Sequence, residues 1–334
     1  HYTIAIGQSA LGALTSGNGN IAIGYQAGDA LTVGQYNTAV GYQALSADDE
    51  GDSSTAIGYN ALLRQNVGDE TSGNTGVGKG AGLFNVTGKN NTYLGSGAGV
   101  GADGQSNSNN TAVGNNALLS ITDGGENVAI GDATGDALTT GHTNVFVGRA
   151  AGSATVEVSD AVVVGADAAE SNMTTAANGT VAVGKAALAS LTTGAGNTAV
   201  GYATLDAVVG GSHNTAVGYD ALTTAAGNAS HNTAVGRDAL KTWNVSGDGN
   251  NTAMGSEAGS ALTTGVSNTL IGAETGKAAQ DVDSLVLIGD NAGKTINNSN
   301  SDGTIAIGRD AATALISGDQ SIYIGFEAGK ENTT

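Results

Sequence analysis

The sequence predicts an all-β protein, a β-solenoid or β-roll of about 19 coils built on a 17-residue unit. Three observations carry this: one phrase recurs along the whole chain, β-branched residues alternate inside it, and none of the 334 residues is a proline.

The repeat is plain in NIAIGYQAGDALTVGQYNTAVGYQAL (residues 20–45), where NIAIGYQAG is followed 17 residues later by NTAVGYQAL. Anchored on its glycine, which we call position 0, the phrase occurs 19 times, from Gly7, Gly24 and Gly41 to Gly308 and Gly325. Of the 18 intervals between these glycines, 12 are 17 residues, one is 18, four are 19 and one is 20, so the unit is 17 with occasional insertions. Self-similarity at such a period marks a solenoid, in which no unit can bury its own apolar face and stacking supplies the cover. Residues 1–334 read as a single continuous array, because no shift in composition interrupts the phrase.

Within the unit, position −1 is Ile, Val, Leu or Met in every copy and position −3 is Thr, Ile or Val. Such residues spaced by two predict a short strand with one buried face, and the larger β-branched side chains are expected to point inward. After the glycine come two mostly polar positions, then Ala at +3 in sixteen copies and Thr in three, then Leu, Gly or Ala at +4. The remainder, as in LTSGNGN (residues 14–20), is turn chemistry. Position −4 is Asn in twelve copies, which predicts either an amide ladder along the axis or an Asn bonding its own backbone.

Composition agrees. Glycine makes up 55 residues without any Gly-X-Y rhythm, which excludes collagen. A chain of this length would ordinarily carry about 17 prolines, and their absence suits a backbone whose N–H groups nearly all donate to a ladder. The lack of cysteine leaves disulfides no role. No apolar run is long enough to span a bilayer and no signal peptide is evident, so no membrane insertion is expected. A formal charge of −19, from 30 acids against 11 bases, argues against nucleic-acid binding.

Position −2 is Ala in twelve copies and otherwise Gly, Tyr, Phe, Val or Leu, and it is never charged. With −1 and −3 assigned to the interior, −2 is expected to face outward and to need a second cover. Ala39, Ala56, Tyr93, Ala112, Phe146, Val163, Ala199, Ala216, Leu270, Leu287 and Tyr323 are therefore predicted to mediate self-association, most simply as a homotrimer. Exposed alanine is also ordinary surface. The first strand starts beside the N-terminus, and the last copy, SIYIGFEAG, lies close to the C-terminus. Both ends read as uncapped, which predicts either more protein beyond them or subunits stacked end to end.

The phrases NTAVGYQAL (37–45), STAIGYNAL (54–62), NTAVGNNAL (110–118) and NTAVGYDAL (214–222) resemble the repeats of bacteriophage tail-fibre proteins that end in a self-cleaving intramolecular chaperone domain. They are also similar to the head repeats of trimeric autotransporter adhesins, whose shorter unit carries a V-A-I-G core. The resemblance implies a trimeric fibre, extracellular, on a cell surface or on a virion, that attaches to a cell and catalyses nothing.

Several stretches invite chemistry. GSGAGVGAD (95–103) looks like a phosphate loop, but the repeat accounts for Gly95, and neither a helix pattern nor a suitable Lys follows. ADDEGDSS (47–54) groups Asp48, Asp49, Glu50 and Asp52, whose oxygens could hold calcium; the other reading is a solvated acidic turn. At +1, Tyr25, Tyr42 and Tyr59 fall on consecutive coils, as do Tyr202 and Tyr219, and ring ladders of this kind suit a cell-surface glycan or simple stacking. Insertions at 64–73, 101–109, 241–250 and 296–303 all enlarge the same half of the coil, and loops of varied length on one edge often bind. Trp243, the only tryptophan, lies in one of them and is the contact candidate for a receptor or glycan. The histidines His1, His142, His213 and His231 form no grouping with Ser or acids, and no cofactor is expected.

The sequence thus predicts no enzyme. It predicts a structural shaft of an extracellular or phage-borne fibre acting as spacer and cell-attachment adhesin, with an end-to-end filament subunit as the alternative. A third reading is an ice-binding solenoid, from the Thr runs 38, 55, 75, 92, 111 and 198, 215, 233, 252, 269 at −3. An interior −3 position argues against that reading.

Overall fold

Each copy of the phrase folds as one coil whose strand is three residues long, positions −3 to −1. The computed structural model describes residues 2–225, 227–297, 299–318 and 320–334, and among them 19 such strands occur, one per copy. The chain divides into two compact units, residues 1–163 with 172–175, and residues 164–171 with 176–334. Both are parallel β-solenoids. In the first, strands from Ile4–Ile6 and Ile21–Ile23 to Val128–Ile130 and Val145–Val147 pair in parallel, each with the next. In the second, the strands run from Val181–Val183 and Thr198–Val200 to Ile305–Ile307 and Ile322–Ile324. Register is exact with respect to the repeat: Thr38 pairs with Thr55, Ala39 with Ala56 and Val40 with Ile57.

Hydrogen bonding continues past the strand. Gly41 N donates to Ile23 O at 2.8 Å, Gln43 N to Tyr25 O at 2.9 Å and Leu45 N to Ala61 O at 3.0 Å, so positions 0, +2 and +4 also belong to the ladder. A proline at any of them would remove a donor. Positions +2 and +4 adopt left-handed backbone even where they are not glycine, as at Gln43 (φ 51°) and Leu45 (φ 52°), a conformation the stack imposes on side chains that disfavour it.

The interior differs from the sequence expectation in its facing. From Ile21–Ile23 to Ile305–Ile307, position −2 is buried in every strand, while −3 and −1 are half-buried or exposed. Ala39, Ala56, Tyr93, Ala112, Phe146, Val163, Ala199, Ala216, Leu270 and Leu287 therefore line the coil interior and not an outer stripe, and Tyr323 is half-buried in the last strand. The reason is width. A three-residue strand offers one inward side chain, and a 17-residue coil holds only a narrow filling of −2, +3, +4 and +7 side chains, for which alanine and leucine suffice. Bulky β-branched residues at −3 and −1 fit outside.

Volume is conserved across that filling. Where −2 is Ala, +4 is commonly Leu, as in Ala112 with Leu118. At Tyr93, Phe146, Leu270 and Leu287, +4 is Gly on the residue's own coil and on the preceding one: Gly99 and Gly82 flank Tyr93, Gly152 and Gly135 flank Phe146, and Gly276 and Gly259 flank Leu270. A Cβ at Gly82 would lie 2.8 Å from Tyr93 Cδ2, and one at Gly135 2.8 Å from Phe146 Cδ2.

The Asn row at −4 is a ladder and is buried. Asn127 Nδ2 donates to Gly141 O (2.8 Å) and to Asn110 Oδ1 (3.1 Å), while its own Oδ1 accepts from Asn144 N (3.0 Å) and Asn144 Nδ2 (2.9 Å). The three threonines at +3, Thr134, Thr204 and Thr275, each donate their hydroxyl to the next coil's anchor carbonyl, at 2.5, 2.6 and 2.7 Å.

Two substitutions test this packing. Gly41 has φ 139°, and a Cβ there would lie 2.6 Å from the Gly58 carbonyl carbon, so Gly41→Ala is expected to destabilise by at least about 2 kcal/mol in urea unfolding. Gly99→Leu is expected to destabilise by about 2 kcal/mol or more against Tyr93, and Tyr93→Ala in the same chain to recover part of that loss. A double-mutant cycle with no coupling would show that the two positions do not share volume.

Candidate functional site

The coil leaves three surfaces for recognition: the outward sheet face of −3 and −1, the corner formed by +1, +2 and +5, and the turns that carry insertions. The residues singled out from the sequence distribute unequally among them.

The +1 tyrosines stack as the period requires. Ring centroids of Tyr25 and Tyr42 are 5.1 Å apart, of Tyr42 and Tyr59 5.2 Å, and of Tyr202 and Tyr219 5.0 Å, with planes within 15° of parallel. All five rings are exposed. Next to them at +2, Gln43 Nε2 donates to Gln26 Oε1 at 2.9 Å.

Trp243 is placed elsewhere than its loop position suggests. It is fully buried at +7, where other coils carry Leu31, Leu138 or Leu262, and its Nε1 donates to Gly265 O at 2.9 Å. Gly249 makes room for the ring, since a Cβ there would lie 2.7 Å from Trp243 Cζ2. The indole fills the interior of an enlarged coil and presents nothing to a partner.

The acidic turn does not converge. Asp48 also occupies a +7 position and is fully buried, with Oδ1 accepting from Gly51 N (3.0 Å) and Oδ2 from Gln65 Nε2 (2.6 Å). Asp52 Oδ1 instead accepts from Gln35 N at 2.6 Å. Asp49 and Glu50 are half-buried. Among the described residues no group of three or more His, Cys, Asp or Glu side chains is arranged to hold a metal. Gln65 links Asp48 to Ser54 (2.6 Å) and Asn74 (2.9 Å), so this part of the interior is a polar network and not a coordination sphere. Burial raises the Asp48 carboxyl above the usual carboxylate range, opposed by the bonds from Gln65 and Gly51.

Of the histidines, His213 and His231 stack with centroids 5.3 Å apart, His231 Nδ1 lies 2.8 Å from Asp248 Oδ1, and His142 Nδ1 accepts from Gly125 N. His1 lies outside the described residues.

One feature of the corner was not foreseen. At Lys79–Gly80 and Ser96–Gly97, two successive coils carry glycine at +2 where neighbouring coils carry Gln43, Asn60 or Asn116; the space over Gly80 is open, the Asn116 amide lies against Gly97, and the corner holds a groove of about 280 Å³. Tyr59, Asn60, Lys79, Ser96 and Asn116 border it, and the half-buried Leu83 and Val100 line it. The signal was present in the sequence as KGAG followed by SGAG, but each glycine passed as part of the repeat.

In the second unit the same corner is occupied by ions. Asp220, Asp238, Glu257 and Glu274 at +2 alternate with Lys241, Arg237, Lys277 and Lys294 in one chain of ion pairs, including Lys241 to Asp238 at 2.7 Å and Lys277 to Glu257 at 2.5 Å. Lys277 and Arg237 hold Glu257 below its usual range, and Lys294 does the same for Glu274.

Asp48 yields a pH test. Its carboxyl is raised in the folded chain, so folding favours the protonated form; the stabilisation is complete below the ordinary carboxylate range and is lost as pH rises through the raised value. Asp48→Asn is expected to remove that part of the pH dependence, whose slope for one proton is at most about 1.4 kcal/mol per pH unit. Urea unfolding at pH 3, 5 and 7 checks it, and identical slopes in both proteins would refute the assignment. No protein-family profile matches the chain, and no curated protein matches it.

Proposed function

We propose that this chain is the structural shaft of a fibre, extracellular or carried on a virion, that associates with copies of itself and serves as spacer and attachment element. The observation that supports it most is the outward sheet face. In each unit, positions −3 and −1 form two continuous rows of Thr, Ile and Val beside Ile, Val, Leu and Met, with Ile23, Ile57, Leu94, Ile130, Met254 and Ile271 among the exposed side chains. A contiguous apolar face of this kind favours cover by another chain. A homotrimer that packs these faces about an axis is the simplest closed arrangement consistent with the resemblance to phage and autotransporter fibres. The self-association surface thereby moves from −2 to −3 and −1. The repeated coil, hydrogen-bonded to its neighbours along the strand and past it, suits a mechanical role.

A second reading is favoured by one specific observation. Thr38, Thr55, Thr75, Thr92 and Thr111 pair in register on the outward face, as do Thr198, Thr215, Thr233, Thr252 and Thr269. The objection that −3 is interior therefore falls, and a regular threonine rank beside an aliphatic rank is a surface suited to ice.

Mass in solution separates the readings. Light scattering is expected to give three times the chain mass of 32.3 kDa, and Ile57→Lys with Ile130→Lys to shift the protein towards monomer. Long threads in negative-stain images would favour the end-to-end filament. A monomer that shows thermal hysteresis, lost in Thr75→Lys, would replace the fibre reading with ice binding.

A further inference from the structure

We propose that the groove at Tyr59–Asn116 binds a carboxylated hexopyranose, with the sugar ring lying as the next rung of the tyrosine ladder. The inference names the attachment partner of the fibre reading, but it rests on the corner rows +1, +2 and +5, none of which belongs to the sheet face.

The stack Tyr25, Tyr42, Tyr59 advances one ring per coil at just over 5 Å and then stops, because the next +1 residue is Lys79. One face of Tyr59 is covered by Tyr42. The other faces the coil of Lys79 and Gly80, and a Cβ placed on Gly80 would have nothing within 4 Å. A pyranose ring matches this space: its axial C–H groups pack on the aromatic face, and Leu83 and Val100 line the site beneath it.

The polar groups at the rim have no other work. Among the described residues the side chains of Asn60, Lys79, Ser96 and Asn116 have no hydrogen-bond or ion-pair partner, and Asn60 Oδ1 is buried without one. In other coils of the corner some side chains satisfy one another, as Gln26 with Gln43 and Lys277 with Glu257, while Asp29 and Asp206 at +5 each keep one buried oxygen without a partner but have no glycine at +2 beside them. Two glycines at +2 break the column and leave the amides on both sides unpaired. Amides and a hydroxyl around an apolar floor with one aromatic wall form a donor and acceptor set for sugar hydroxyls. Lys79 supplies the selectivity. In a chain of net charge −19, an ammonium left free at the rim favours a ligand that brings its own carboxylate.

The test uses the whole chain with methyl β-glucuronide and methyl β-glucoside, each titrated to 50 mM and read by saturation-transfer NMR and calorimetry. The glucuronide is expected to bind, and the glucoside roughly tenfold more weakly or worse. Gly80→Asn places in the groove a residue that tolerates left-handed backbone, as Asn60 (φ 56°) and Asn116 (φ 54°) do at the same position, and it is expected to abolish binding with the urea midpoint unchanged. Lys79→Gln is expected to bring the two sugars to equal affinity. No binding of the glucuronide, equal binding of both sugars by the unaltered chain, or undiminished binding in Gly80→Asn would each overturn the assignment. None of these outcomes bears on the oligomeric mass, so the fibre reading stands or falls separately.

Discussion

Everything in this structure depends on how closely one coil can approach the next at position 0. There the backbone turns out of the strand with φ near +135°, and the glycine's missing side chain is replaced by the carbonyl of the following anchor. Any Cβ would strike that carbonyl, so the glycine is invariant for a steric reason and a conformational one together. Within each unit the contact recurs from coil to coil, as from Gly24 to Gly41 and from Gly201 to Gly218, and so fixes the register of the strands stacked there. It also brings the −4 asparagines close enough to bond one another. A buried amide with unmet donors would be destabilising, and the ladder meets them without water.

Given that register, the interior has little freedom. Its cross-section is set by the 17-residue path, so variation must conserve volume, and the exchange of Ala with Leu for Tyr, Phe or Leu with Gly follows directly. The same constraint places Trp243 inside. Polar substitutions are tolerated where they form a complete network, as Asp48, Gln65, Ser54 and Asn74 do. A carboxyl kept there is held towards its neutral form, consistent with the general penalty for burying charge.

The architecture was legible in the sequence, and its inside and outside were not. The 17-residue period, the short strand and the parallel stacking follow from counting glycines and alternating positions, and the tyrosine ladders follow from the same count. Hydrophobicity alone then misassigned the faces, because it ranks Val and Ile above Ala for burial. The deciding quantity was the room available to a three-residue strand in a narrow coil, which a scale of residue character does not contain. Gly99 and Gly82 beside Tyr93 held the correction, since a glycine on both coils that face a large −2 side chain shows that −2 is the residue needing space. The groove was obscured for a related reason. In a chain with 55 glycines, Gly80 and Gly97 stand out only when compared with the other residues of their own column.

Once the interior and the anchor are fixed, the outer corner is the part of the coil free to differ, and its two treatments in this chain are opposite. In the second unit, acids at +2 and bases at +1 and +5 neutralise each other from Asp220 to Lys294. Exposed pairs of this kind contribute little stability singly, but they leave no group seeking a partner. In the first unit the corresponding column is interrupted, an aromatic face is left uncovered, and an ammonium and two amides remain unmatched. Repetition by itself would carry either pattern forward from coil to coil. The two corners therefore differ in how their polar groups are met: in the second unit charges on successive coils pair with one another, whereas beside Gly80, among the described residues, an amide oxygen is buried without a partner and an ammonium stands unpaired.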